Sequence, residues 1–301
     1  MATEYNVSDC QELDSENSEY TLENDLIAGS NCLNVTAGNI TIDCSGHTIT
    51  YAVNYSGHGI KISGVNNTAV ENCIFVKEDN EEPGSAAIYE ELGNDTILIN
   101  NTVNSAGDYS YGIVLKNVQF ANITGNKIIL SGSYAHGINL SFSESNNITS
   151  NAINTSTGND AYGIALSASA YNNITGNFIN TSGTYNGYGM FVSEASHNNS
   201  FEKNDILAKG SQGSNLGVYS YGSANFIVRQ NVIATSGTNS NHGLYLLGNS
   251  YKSHISSNKI LAQGTGEDNY GIYVNASGNT NISLNNITTN GTKENYGIHL
   301  L

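Results

Sequence analysis

The sequence predicts an all-β fold: a single-stranded, right-handed parallel β-helix of about ten coils, each of about 26 residues, with a disulfide-clamped N-terminal cap. Three observations lead there. Apolar residues, asparagines and glycines recur in columns at a nearly constant step. Within each repeat the apolar residues alternate with the strand period of two, not the helical period of 3.6. The composition, dense in Asn, Ser, Thr and Gly, weakens helical backbone wherever it could start.

The columns can be followed without adjustment. One holds Ile123, Ile148, Ile174, Phe201, Val228, Ile255 and Ile282. Three residues on stand Asn126, Asn151, Asn177, Asn204, Asn231, Asn258 and Asn285. Two further on come Ile128, Ile153, Ile179, Ile206, Ile233, Ile260 and Ile287. A fourth column is glycine, running from Gly112, Gly137 and Gly163 to Gly297, each followed by an apolar residue. The alternation gives every coil three short strands, with Gly and Asn at the bends. Such repeats bury a continuous core only by stacking on their neighbours, and the crossover rule makes the coil right-handed. At about 4.8 Å per coil the rod is on the order of 50 Å long. Stacked asparagines at a bend bond to each other along the axis and satisfy turn backbone, so the Asn column reads as a structural ladder.

Residues 1–32 depart from the repeat and read as a polar cap over an open solenoid edge, which would otherwise template aggregation. Residues 33–301 then form one continuous β-helix domain. Cys10, Cys32, Cys44 and Cys73 all lie in the first quarter, an even number without a C-x-x-C pair. Two disulfides are expected, and four cysteines permit three pairings. Cys10 with Cys32 and Cys44 with Cys73 is preferred, because the second pair is 29 residues apart, close to one coil. Adjacent coils bring equivalent Cα atoms within disulfide range. A metal site is the rival reading, without clustered histidines behind it. At the far end NYGIHLL stops inside a strand, as in a chain cut from a longer one or paired with another molecule.

The formal net charge is −16, and 17 of the 26 carboxylates fall in the first 100 residues. So acidic a chain repels phosphate backbones, which makes nucleic acid a poor partner. Polyuronates are disfavoured too, unless calcium bridges the charges. No apolar stretch approaches the roughly 20 residues of a transmembrane segment. MATEYNVSDC is polar from its start, so no signal peptide is read. The cysteines nevertheless point to an extracellular or cell-surface location, with the targeting sequence already removed.

The repeated GI-x-L and N-I-T-x-N-x-I segments resemble right-handed β-helix repeats of the NosD-like and carbohydrate-binding/sugar-hydrolase group. The opening DCQEL…YTLENDL…NCLNVTAGNITIDCSGHTIT is similar to that of archaeal cell-surface β-helix proteins. The resemblance covers nearly the whole chain. It implies the solenoid fold and a function among lyases, hydrolases, epimerases, adhesins and surface-layer components.

The motifs that would narrow this choice are incomplete. Gly57-His58-Gly59 matches a tripeptide that sugar hydrolases of this fold carry near paired aspartates. Hydrolysis needs two carboxylates facing across about 6.5–9.5 Å, yet Asp108, Asp160 and Asp268 are two to four coils apart. Arg229 stands alone, whereas lyases of this fold set a Lys or Arg base beside acidic calcium ligands. The repeat's Y-G-I resembles mannuronan epimerases but lacks the D-P-H that should follow. Copper handling of the NosD kind would want clustered His and Met. Here His136 and His242 are four coils apart, and the methionines are Met1 and Met190 alone.

Two surface features remain. Tyr111, Tyr162, Tyr188, Tyr270 and Tyr296, with His136, Leu216 and His242 among them, each precede a column glycine. Such a row is either a glycan-stacking platform or packing in the solenoid wall. Eighteen N-x-[ST] sequons, among them Asn6, Asn54, Asn139, Asn154, Asn180, Asn275 and Asn290, point to a glycosylated surface on an exported chain. Asn122, Asn147 and Asn173 share a column on consecutive coils, too close for a glycan on each. No cofactor is expected; Ca2+ held by turn carboxylates stays open, without a D-x-D-x-D-G loop behind it. With no convergent catalytic residues, the expectation is a non-enzymatic extracellular scaffold of an envelope, sheath or filament, whose partner is itself or an envelope glycan. The alternative is a carbohydrate-binding or carbohydrate-processing module of a larger secreted protein.

Overall fold

A computed structural model describes residues 2–78, 83–156, 158–275 and 278–301. Among these every regular element is a strand, and successive strands wind into a parallel β-helix of about eleven turns. One turn shows the pattern. Tyr162–Ser167 lies in the first sheet, Asn173–Thr175 in the second and Phe178–Gly183 in the third; the next turn restarts at Tyr188–Ser193. Each strand pairs in parallel with its equivalents one turn away, so Ile148 pairs with Ile174 and Ile174 with Phe201. The sheets hold twelve, twelve and eleven strands among the described residues. The first 32 residues contribute Thr3–Val7, Glu12–Leu13, Ser18–Leu22 and Leu26–Ile27 to these sheets.

Inward side chains form one core from Val7 to Val274. Ile123, Ile148 and Ile174 reach it from the second sheet, and Ile128, Ile153 and Ile179 from the third. Each such burial contributes roughly 1.5–3 kcal/mol, and only the neighbouring turns make it complete.

The glycine column lies inside the first-sheet strands rather than at a bend, which corrects the expectation. A Cβ on Gly163 would stand 2.2 Å from Ile179 Cγ2 and 2.6 Å from the Gly189 carbonyl of the next turn. Gly137, Gly189, Gly217 and Gly243 face the same pair of obstacles. Glycine is therefore what lets the first sheet pass close over the isoleucines of the third.

At the bend from the second to the third sheet, one residue of positive φ, such as Ser150, Gly176 or Lys203, precedes the ladder asparagine. Asn177 shows how a rung works. Its Nδ2 donates to Asn204 Oδ1 (3.0 Å) and to the Ile148 carbonyl (2.8 Å), while its Oδ1 accepts the N–H (2.9 Å) and Nδ2 (3.0 Å) of Asn151. The ladder starts one turn before the column read from the sequence, at Asn101. Two further ladders fill the other corners: Asn146, Asn172 and Asn199 between the first and second sheets, and Asn215, Asn241, Asn269 and Asn295 between the third and first. Each ladder also takes up buried turn backbone, since Asn Oδ1 atoms accept the N–H groups of Asn151, Asn146 and Asn241 at the three corners.

Cys10–Cys32 and Cys44–Cys73 are disulfide-bonded across Cα separations of 4.5 and 4.7 Å. Both staple the N-terminal part of the solenoid.

Candidate functional site

Aromatic residues gather on the outward face of the first sheet, in two columns. The position before the glycine carries Tyr111, His136, Tyr162 and Tyr188, is interrupted by Leu216, and continues with His242, Tyr270 and Tyr296. The position two after it carries Phe191, Tyr219, Tyr245, Tyr273 and His299. Equivalent rings are one turn apart, so from His136 to Tyr273 they stack, whereas Tyr111 is tilted by 50° on His136 and His299 meets Tyr273 edge-on. His136 lies on Tyr162 with centroids 4.5 Å apart, Tyr162 on Phe191 at 4.7 Å and Phe191 on Tyr219 at 5.3 Å. Tyr219 follows on Tyr245 at 6.0 Å and Tyr245 on Tyr273 at 4.6 Å. Tyr270 joins His242 (4.9 Å) to Tyr296 (5.6 Å). Within the stacked stretch the ring faces are occupied by one another, and edges and phenol hydroxyls are what the wall turns outward there. Sequence reasoning found only the first column. The second is interrupted at Val114, Asn139 and Ala165, although the recurrent G-V-Y, G-L-Y and G-I-Y at 217–219, 243–245 and 271–273 were a usable signal.

Burial sets the chemistry of the wall. Desolvation pushes His136 and His242 down to about 4, Tyr162 up to about 12, and Tyr188 higher still. His242 Nδ1 accepts the Tyr270 N–H (3.2 Å), which assigns the proton of the neutral ring to Nε2. The Tyr270 hydroxyl donates to Asp268 Oδ1 (2.9 Å); burial first, then this bond, raises its pKa. His58, the centre of the Gly-His-Gly tripeptide, repeats the arrangement nearer the N-terminus. It stacks on Tyr89 at 4.5 Å, its Nδ1 accepts the Ala86 N–H (3.2 Å), and burial lowers it to about 4. These groups are neutral hydrogen-bonding groups at pH 7.

The aspartates weighed from the sequence are not brought together. Asp160 and Asp268 occupy the turn leading into the first sheet with φ of 50° and 59°, a conformation that Asp and Asn tolerate better than most residues. Asp160 accepts Asn186 Nδ2 at 2.7 Å, and Asp108 accepts the Ser133 N–H at 2.6 Å. Arg229 lies on the second sheet, ion-paired with Glu202 at 2.7 Å, and holds that carboxyl below its usual range. Among the sequons, Asn54 is in an exposed loop and Asn6 in an exposed strand bonded to Glu23. Asn139 lies in a first-sheet strand and Asn290 ends one in the third sheet. Asn180 Nδ2 bonds Asn154 Oδ1 across neighbouring strands (3.0 Å), and the sequon of Asn275 runs into residues outside those described. One unusual group was not singled out from the sequence: Glu90, a carboxyl inside the core.

Residues 5–209 match the family described as periplasmic copper-binding protein (NosD). The DFA-IIIase of Arthrobacter chlorophenolicus A6, in complex with GF2, aligns over 95% of this chain and 86% of its own, at 14% identity and a TM-score of 0.61. The mannuronan C-5 epimerase AlgE4 A-module of Azotobacter vinelandii aligns over 100% and 89%, at 14% identity and 0.51. PfbA, a surface adhesin of Streptococcus pneumoniae, aligns over 99% and 82%, at 12% identity and 0.49. No curated protein matches. At these identities the likeness is one of fold. It still corrects the expectation that the chain is not an enzyme: β-helices of this build include an epimerase and a DFA-IIIase, so a missing carboxylate pair excludes nothing. Copper does not follow from the family's description. Among the described residues no three His, Cys, Asp or Glu converge, the cysteines are all in disulfides, and Met190 is buried in the core. The residues present do not fit a copper centre.

Proposed function

The chain belongs to the NosD family, and from that premise we propose that it is an exported β-helix that binds, or binds and processes, a neutral saccharide along the outward face of its first sheet. The aromatic wall from His136 to His299 carries this reading. It is a rigid strip of phenol hydroxyls and ring edges repeating at about 4.8 Å, the spacing of the turns. With ring faces occupied, recognition runs through sugar hydroxyls rather than through stacking on apolar sugar faces. Neutral imidazoles and the Asp268-bound Tyr270 hydroxyl add further polar contacts on the same face. A net charge of −16 favours a neutral chain over a polyuronate. Two disulfides fit the periplasm or the cell surface, where envelope glycans are at hand.

The test is affinity electrophoresis through gels holding soluble neutral glucans, mannans or fructans, with a polyuronate as control, followed by chromatography of each glycan after incubation. Retardation in a neutral glycan that the Tyr219→Ala/Tyr245→Ala variant loses is the expected result. Shortened or altered glycan would add processing to binding. Unchanged mobility in every gel, with rods joining into filaments under the electron microscope, would replace this reading with self-assembly.

A further inference from the structure

The third asparagine ladder is one rung short. At the bend from the third sheet into the first, Asn215, Asn241, Asn269 and Asn295 hand an amide N–H from each Nδ2 to the next Oδ1 at 2.9, 2.8 and 3.0 Å. One turn earlier the equivalent residue is Gly187, because Tyr188 pairs with Leu216. Asn215 Oδ1 faces that turn and, though fully buried, finds no hydrogen-bond partner among the described residues. Thr181 Oγ1, also fully buried, is in the same position. Both converge on one point. The three heavy atoms nearest to where a Gly187 Cβ would stand are all oxygens: the Lys209 carbonyl at 3.3 Å, Asn215 Oδ1 at 3.4 Å and Thr181 Oγ1 at 3.6 Å.

We propose that this space is a built site for one buried water molecule, which replaces the missing asparagine rung. The water donates to Asn215 Oδ1 and to the Lys209 carbonyl and accepts from the Thr181 hydroxyl. Three partners is the usual number for a water inside a protein, and polar spaces of this kind hold one where apolar ones stay dry. A metal ion is the poorer guest. Calcium takes six to eight oxygens, usually with carboxylates among them. A monovalent cation would leave its hydration shell for three neutral oxygens, which do not offset the desolvation. The water locks the corner from which Tyr188 enters the aromatic wall, and the inference is independent of any saccharide.

Two substitutions with opposite expected signs test it. The backbone of Gly187 is not left-handed, so other residues can stand there. Gly187→Ala puts a methyl where the water sits and donates nothing, leaving Asn215 Oδ1 and Thr181 Oγ1 unmet. Its thermal midpoint should fall by about 2 °C or more. Gly187→Asn supplies the amide N–H that every other rung supplies, and its midpoint should match or exceed that of the wild type. Were the space an ordinary packing gap, alanine would fill it and also restrict the unfolded chain, raising the midpoint; that result overturns the proposal. A high-resolution crystal structure of the wild-type protein, grown with rubidium in place of sodium, is the second measurement. Density about 2.7–3.2 Å from the three oxygens without anomalous signal supports the water. An anomalous peak there, or no density, refutes it.

Discussion

Replacing Glu90 by glutamine should change stability with opposite sign at low and at high pH. Glu90 belongs to the strand Ala86–Glu91, and its side chain points into the solenoid in the column of Ile62 and Leu115. It is 0% exposed. Oε1 accepts the Thr96 hydroxyl at 2.6 Å, while Oε2 has no partner among the described residues. Gly93 makes the room, since a Cβ there would come within 2.3 Å of Oε1. Burial pushes the carboxyl up to about 7, with the Thr96 bond acting weakly the other way. From 4.5 to about 7 is 7 − 4.5 = 2.5 units, which at about 1.36 kcal/mol per unit comes to about 3 kcal/mol. The folded state holds this proton more tightly than the unfolded one. Between about pH 4.5 and about pH 7 folding therefore takes up protons, and stability falls as pH rises through that window. Glutamine keeps the volume and cannot ionise, but its Nε2 meets no acceptor, a cost of about 1 kcal/mol at every pH. The variant should thus be less stable than wild type by about 1 kcal/mol near pH 4.5 and more stable by about 2 kcal/mol near pH 8. Urea unfolding followed by far-ultraviolet circular dichroism suits a chain without tryptophan. The difference between the two proteins is what matters, because the −16 net charge gives both a background pH dependence. A difference that stays flat from acid to alkaline pH would refute a buried, ionisable Glu90.

The remaining predictions concern the ladder, the wall and the staples. Asn177→Ala removes four hydrogen bonds at once and strands the Ile148 carbonyl and the Asn151 N–H; a loss of about 2–4 kcal/mol is expected in urea unfolding. His136 carries the opposite pH sign to Glu90: burial holds its folded pKa at about 4 against 6.5, so stability is lost as pH falls through that window. His136→Phe keeps a ring to stack on Tyr162 and should move the acid-unfolding midpoint of the dichroism signal to lower pH. Cys44→Ser/Cys73→Ser opens a link between residues 29 apart and should cost about 3–4 kcal/mol. Hydrogen exchange should show the lost protection concentrated in the first turns.

The fold was legible because a solenoid writes its contacts into its sequence. Ile148 touches Ile174 through the stacking of turns, so the step between columns is itself the contact map. The long ladder from Asn126 to Asn285 was legible for the same reason. The ladder of Asn146, Asn172 and Asn199 was not, because Ala121 stands at one end of its column and Phe226 at the other. Four rungs starting from a glycine were equally easy to pass over. Glu90 sits where the GI-x-L repeat places its leucine, so the departure was visible, but charge alone gave no sign that it points inward.

Composition and column spacing by themselves determined the parallel β-helix, its three strands per turn and the isoleucine core, since each follows from stacking equivalent residues about 4.8 Å apart; they favoured one cysteine pairing of three, and the structure decided it. Only the tertiary structure decided what that stacking does to the side chains. It turned the tyrosine row face to face, so that ring edges and hydroxyls meet solvent, and it put glycine inside a strand because a carbonyl of the next turn passes there. It drove Glu90 into the core and gathered three oxygens around Gly187. These outcomes depend on which way a side chain leaves its strand and on what lies one turn above it. Spacing along the chain sets the turn, and packing across turns sets the chemistry.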